Sequence, residues 1–194
     1  MHVDPSVAAV LALLQTEVAW FLALLLAGAA LHKQIAHTRA RRAAGDLLGC
    51  SWRSAGIAVA AAALVEAVAA LGLGYASSRW LGALLAAALW AVYLGLIGRA
   101  IVRGRRDLDC GCSFGQAHRP LGRWQVLRTA GLCLLAAAVA ALAHVPGIAD
   151  AASVAAPGLA ELTSEALAPL ALLALYAALD HCLALAPLRA GASR

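Results

Sequence analysis

Charge is what this chain has least of. Of its 194 residues only 13% are charged, while 63% are hydrophobic. A soluble domain carries about twice that share of charge. β-branched residues are also sparse, and the apolar residues come in long alanine- and leucine-rich blocks. That pattern favours helices over a lipid-embedded barrel, whose strands alternate polar and apolar residues. The bilayer is then the solvent, and each block must satisfy its own backbone as a helix. Low-complexity linkers and internal repeats are absent too, so residues 1–194 are expected to form a single transmembrane domain.

Five blocks are long enough to span: residues 7–31, 55–74, 81–102, 124–144 and 165–188. The expected fold is all-α, an integral membrane bundle of five transmembrane helices. Residues 1–6 hold no Lys or Arg, so the basic leader of a cleaved signal peptide is missing and the first block reads as a retained helix. The first loop, HKQIAHTRARRAAGDLLGCSWRS, reads as a short basic interfacial helix ending near Gly49. The fourth, residues 145–164, is bracketed by Pro146 and Pro157 and suits a cap on the outer surface. Small residues recur through the spans (Gly28, Gly72, Gly74, Gly82, Gly95, Gly98, Gly131) and permit close helix approach.

Basic residues are absent from one side. The first loop holds Lys33, Arg39, Arg41, Arg42 and Arg53, and the third holds Arg103, Arg105, Arg106, Arg119 and Arg123. The second has Arg79 alone and the fourth none. The positive-inside rule therefore puts the first and third loops and the C-terminus in the cytoplasm and the N-terminus outside, in a multi-pass protein of the plasma membrane. The pI near 9.3 follows from this bias, and no nucleic-acid partner is implied. Trp52, Trp80 and Trp124 fall at expected water–lipid crossings, whereas Trp20 and Trp90 lie deeper and need partners for their indole N–H groups.

The chemistry-bearing stretch is RGRRDLDCGCSFG. A disulfide between Cys110 and Cys112 closes a small ring near the upper limit of disulfide geometry, and Gly111 permits the bend it needs. Such a strained bridge is readily reduced and active in exchange. Arg103, Arg105, Arg106 and the start of the following helix favour the thiolate, while Asp107 and Asp109 oppose it. Two idle thiols in a turn are the plain alternative. A metal site of Cys110, Cys112, His118 and Cys50 is another, although structural zinc sites space paired cysteines more widely. The haem-attachment motif is absent. Cys50, expected on the same side as the hairpin, is either a resolving thiol or inert at the membrane surface.

Cys133 reads as structural. The Asp180-His181-Cys182 run points in different directions on a helix, which argues for bundle contacts over a catalytic triad. Glu17 and Glu66 fall near the middle of their spans. Acids there are protonated, paired or turned to a polar cavity, and they suit a proton relay, a quinone-like head group or a neutral contact between helices. Lys33, just past the first span, reads as a snorkelling anchor.

The order of these features resembles the MauE branch of the DoxX-like membrane proteins. AGAALHKQ is similar to that family's small-residue run with a lysine, here Lys33, after the first helix. LVEAVAALGLG is similar to its glutamate-then-glycine pattern, here with Glu66. RGRRDLDCGCSFG is similar to its arginines followed by Cys-x-Cys-Phe-Gly, here with Phe114 and Gly115. The likeness covers roughly residues 15–145, and Ser113 departs from it by separating Cys112 from Phe114.

The resemblance implies a four-helix core with the fifth helix beside it, and Cys110 and Cys112 as a redox pair. It also implies a role in maturation of the kind associated with methylamine dehydrogenase, with a thioredoxin-like or client redox protein as partner. Thiol–disulfide exchange is thus the expected function, and the chain is a possible oxidoreductase. No cofactor is expected, a membrane quinone being the one candidate. A maturation factor for extracytoplasmic disulfides works on the outer face, whereas the charge pattern puts the hairpin inside. The rival readings are a scaffold or assembly factor without redox chemistry, a metal-binding membrane protein, and a small-molecule transporter using Glu17 and Glu66.

Overall fold

A computed structural model of the chain describes residues 4–105, 122–145 and 167–179. The described residues are helical, without a strand, and begin with α1, Pro5–Ile35. Asp4 starts it by accepting from the Ser6 backbone N–H at 2.9 Å, and Pro5 occupies the first turn, where a missing N–H costs nothing. After Ala36 the chain enters α2, His37–Leu48. Gly49, at φ 66°, ends α2 in the left-handed conformation that glycine adopts without strain. The short basic helix expected in the first loop is therefore present and stops where expected.

Ser51 caps α3, Trp52–Gly74, by accepting from the Ser54 N–H at 3.3 Å. A single 3₁₀ turn, Ala76–Ser78, leads into α4, Arg79–Val102. α5 covers Arg123–Leu142, and the Gln125 side chain reaches back to accept from the Gly122 N–H at 2.9 Å. α1, α3, α4 and α5 are each long and apolar enough to cross a membrane. Their outward side chains are apolar as well: Leu13, Leu64 and Leu134 are all exposed. A helix that is apolar all round belongs in lipid.

These four helices pack in a ring, α1 on α3, α3 on α4, α4 on α5 and α5 on α1, with α2 laid against α3. Contacts at both ends fix the directions: ring neighbours run antiparallel, and α1 and α4, across the ring, run the same way. Near the start of α1, Gln15 donates to the Val139 carbonyl near the end of α5 at 2.9 Å. Arg79, the first residue of α4, donates to Thr16 at 3.0 Å. At the opposite end, Leu47 of α2 and Val126 of α5 pack against Ile97 and Ala100 of α4.

α3 and α4 approach most closely where Gly72 meets Gly82. A Cβ on Gly72 would stand 2.9 Å from the Gly82 Cα, and one on Gly82 would stand 2.6 Å from the Gly72 carbonyl carbon. Only glycine fits at that crossing.

The residues divide into two compact units, Met1–Ala155 and Ala156–Arg194. In the second, α6 is an apolar helix over Leu167–Leu179, shorter than a spanning segment. The expected fifth span, 165–188, is thus described only over this stretch, and the rest of it lies outside the described residues, as does most of the expected cap at 145–164.

Candidate functional site

Three helices bring one residue each to a buried polar centre. Lys33 in the last turn of α1 places its Nζ 2.6 Å from Oε1 of Glu66 on α3. Tyr93 of α4 donates its hydroxyl to the same oxygen at 2.9 Å. The Lys33 ammonium also sits 5.7 Å from the centroid of the Tyr93 ring. Glu66 is 1% exposed. Two donors on one carboxylate oxygen hold its charge inside an apolar bundle, where an unpaired charge is costly.

Lys33 therefore does not snorkel to the interface. It turns inward, where its ammonium finds a counter-charge. Among the readings open for Glu66, the paired one holds. Tyr93 went unnoticed in the sequence, although a phenol inside an apolar span needs a partner for its hydroxyl, and Glu66 on the neighbouring helix is one. The second carboxylate oxygen, Oε2, is buried without a hydrogen-bond partner.

Beside this centre runs a cavity of about 250 Å³. α3 forms its floor with Ala58, Val59 and Ala62, α4 one wall with Leu89 and Leu96, and the inner face of α2 the other. Lys33 and Tyr93 line it together, and they are its polar groups in an otherwise apolar surround. α2 is tied to α3 by the Arg41 guanidinium over the Trp52 ring, at 5.8 Å from its centroid. That contact holds the wall in place.

Glu17 does not join Glu66. It is half-buried on α1, sixteen residues before Lys33, or about 24 Å along the axis. Its neighbourhood is the other end of the bundle, near Gln15, Thr16 and Arg79.

Among the remaining candidates, Cys50 is a free thiol of intermediate exposure just beyond Gly49. It sits at the end of the bundle where α2, α4 and α5 meet. Cys133 is also free, and its Sγ donates to the Ala87 carbonyl across the α4–α5 contact at 3.4 Å, in keeping with a structural role. Cys110, Gly111, Cys112, Phe114, Gly115 and His118 lie in the segment joining α4 to α5, outside the described residues, and Cys182 lies outside them as well. Among the described residues no cluster of His, Cys, Asp and Glu could hold a metal ion.

A ring of four apolar antiparallel helices, closed around a buried Lys–Glu–Tyr centre, defines a multi-pass integral membrane protein. The family model for methylamine utilisation protein MauE matches residues 7–143, and the chain belongs to that family. The match runs from the first turn of α1 to the end of α5, so it takes in the whole ring and the segment holding Cys110 and Cys112. No curated protein and no solved structure matches the chain.

Proposed function

We propose that this MauE-family membrane protein assists maturation or redox maintenance of a partner protein by thiol–disulfide exchange through Cys110 and Cys112. One observation carries the reading. The Cys-Gly-Cys sequence lies on the chain between α4 and α5, whose ends meet α2 at the end of the bundle where the free thiol of Cys50 stands. The family's link to methylamine utilisation supports a role in maturing an enzyme of that process.

In the exchange, a thiolate of the pair attacks one sulfur of a partner disulfide. A mixed disulfide forms, and the other partner sulfur leaves as thiolate. The second cysteine, or Cys50, then attacks the mixed disulfide. This releases the reduced partner and leaves a disulfide in the membrane protein, two electrons having passed to the partner. Run backwards, the same steps oxidise the partner. Lys33, Glu66 and Tyr93 serve the bundle that holds these helix ends.

Replacing one cysteine at a time tests the proposal. With Cys112→Ser or Cys110→Ser, one of the two variants is expected to accumulate a partner-linked adduct that reductant dissolves. The double serine variant is expected to trap nothing and to lose maturation activity. Full activity in the double variant returns the protein to the class of scaffolds.

A further inference from the structure

The cavity between α2, α3 and α4 has the features of a small-molecule site. Its walls are apolar, and its polar groups, Lys33 and Tyr93, are grouped around Glu66. The ammonium has three hydrogens and spends one on Glu66, so it can donate to a ligand without giving up its ion pair. Because Lys33 and Glu66 neutralise each other, the site favours an uncharged acceptor over an anion. A carbonyl oxygen meets that requirement.

Depth narrows the source. Tyr93 lies nine residues before Val102, where α4 ends, or about 14 Å along the helix axis. Arg103 and Arg105 follow at the membrane surface. Ester carbonyls of bilayer lipids stay at the headgroup level, above this depth. A carbonyl that reaches Lys33 belongs to a molecule dissolved in the hydrocarbon itself. A volume of about 250 Å³ lies just below the usual range for whole ligand pockets, which suits one ring, with a tail left to run out into lipid.

We propose that this cavity binds the ring of a lipid-soluble quinone, with one quinone carbonyl accepting a hydrogen bond from Lys33 and the ring lying against Tyr93 between α2 and α4. The site does not involve Cys110 or Cys112, so it stands or falls apart from the thiol reading.

The test is a binding titration on the full chain in lipid nanodiscs, with a decyl-tailed benzoquinone as the probe. Two variants accompany the native chain. Ala62→Phe fills the floor while leaving Lys33, Glu66 and Tyr93 themselves unsubstituted, and Lys33→Met with Glu66→Met removes the donor without leaving a buried charge. Saturable binding at one probe per chain is expected, weakened about tenfold or more in each variant, in proportion to a lost cavity or a lost charge-assisted hydrogen bond. Binding is expected to be unchanged with Cys110 and Cys112 as serine. Absence of saturable binding, or equal binding in Ala62→Phe, overturns the site. Equal binding of decylbenzene assigns the cavity to plain hydrocarbon, and displacement by a fatty-acid methyl ester at equal affinity assigns it to lipid carbonyls. Either result overturns the quinone.

Discussion

Lys33 is the single lysine of the chain, and it is spent inside the bundle rather than at its surface. An isolated charge at that depth is expensive, so the pair is sensitive to losing one partner. Glu66→Gln or Lys33→Met is expected to cost about 3–5 kcal/mol, because each strands a polar group in apolar surroundings. Replacing both by methionine is expected to recover most of that loss, since no charge then remains to be buried. Tyr93→Phe leaves the ion pair standing and is expected to cost about 1.5 kcal/mol for one hydrogen bond to a charged acceptor. Unfolding of purified protein in a mild detergent reads all four. Single variants as stable as the double would mean that the pair contributes nothing.

Helix contacts carry the next set of expectations. At the Gly72–Gly82 crossing a side chain meets backbone on the other helix, which cannot move aside without parting α3 from α4. Gly82→Val is expected to destabilise the bundle by about 1–3 kcal/mol through overpacking, measured by the same unfolding. Gly95→Ala is the control: nothing lies within 4 Å of the added carbon, and alanine is the better helix former.

At the start of α1, the Asp4 carboxyl is held below its ordinary value by the Ser6 hydroxyl and then by the Ser6 backbone N–H. A depressed folded pKa means the cap is present above the ordinary aspartate value and is lost as pH falls through the folded one. Amide exchange at Ser6 should therefore quicken as the pH is lowered through that range. In Asp4→Ala it should be fast throughout.

Span ends were legible in the sequence for a physical reason. Charges and tryptophans mark the water–lipid crossing, so α3, α4 and α5 begin within three residues of the expected positions. The stop at Gly49 was legible because glycine ends helices. The Lys33–Glu66–Tyr93 centre was not, because it depends on the register of three helices far apart in sequence. That register is set by packing such as the Gly72–Gly82 contact. The groove was hidden for the same reason: the apolar face of α2 can lie on a membrane surface or, as it does, along α3.

Taken whole, the molecule keeps the charge asymmetry that the sequence shows, with two amendments. Arg79, counted as the lone charge of the second loop, is buried at the start of α4 and bonded to Thr16. Lys33, counted in the first loop, is bonded to Glu66. Arg39, Arg41 and Arg42 on α2, Arg53 at the start of α3, Arg103 and Arg105 just after α4 and Arg123 at the start of α5 stand at the end of the bundle where α2, α4 and α5 meet. The positive-inside rule predicts that this end faces the cytoplasm, and with it the segment carrying Cys110 and Cys112. A maturation factor for extracytoplasmic disulfides needs the opposite.

The most direct measurement is labelling of Cys110 and Cys112 by a membrane-impermeant maleimide, in a chain whose other three cysteines are serine. It is made on intact cells and on inverted vesicles, before and after mild reduction. Labelling that appears only after reduction, and only in inverted vesicles, is the predicted result: a redox-active pair on the cytoplasmic face. Full labelling without reductant would contradict the account, because the pair would then rest as two ordinary thiols.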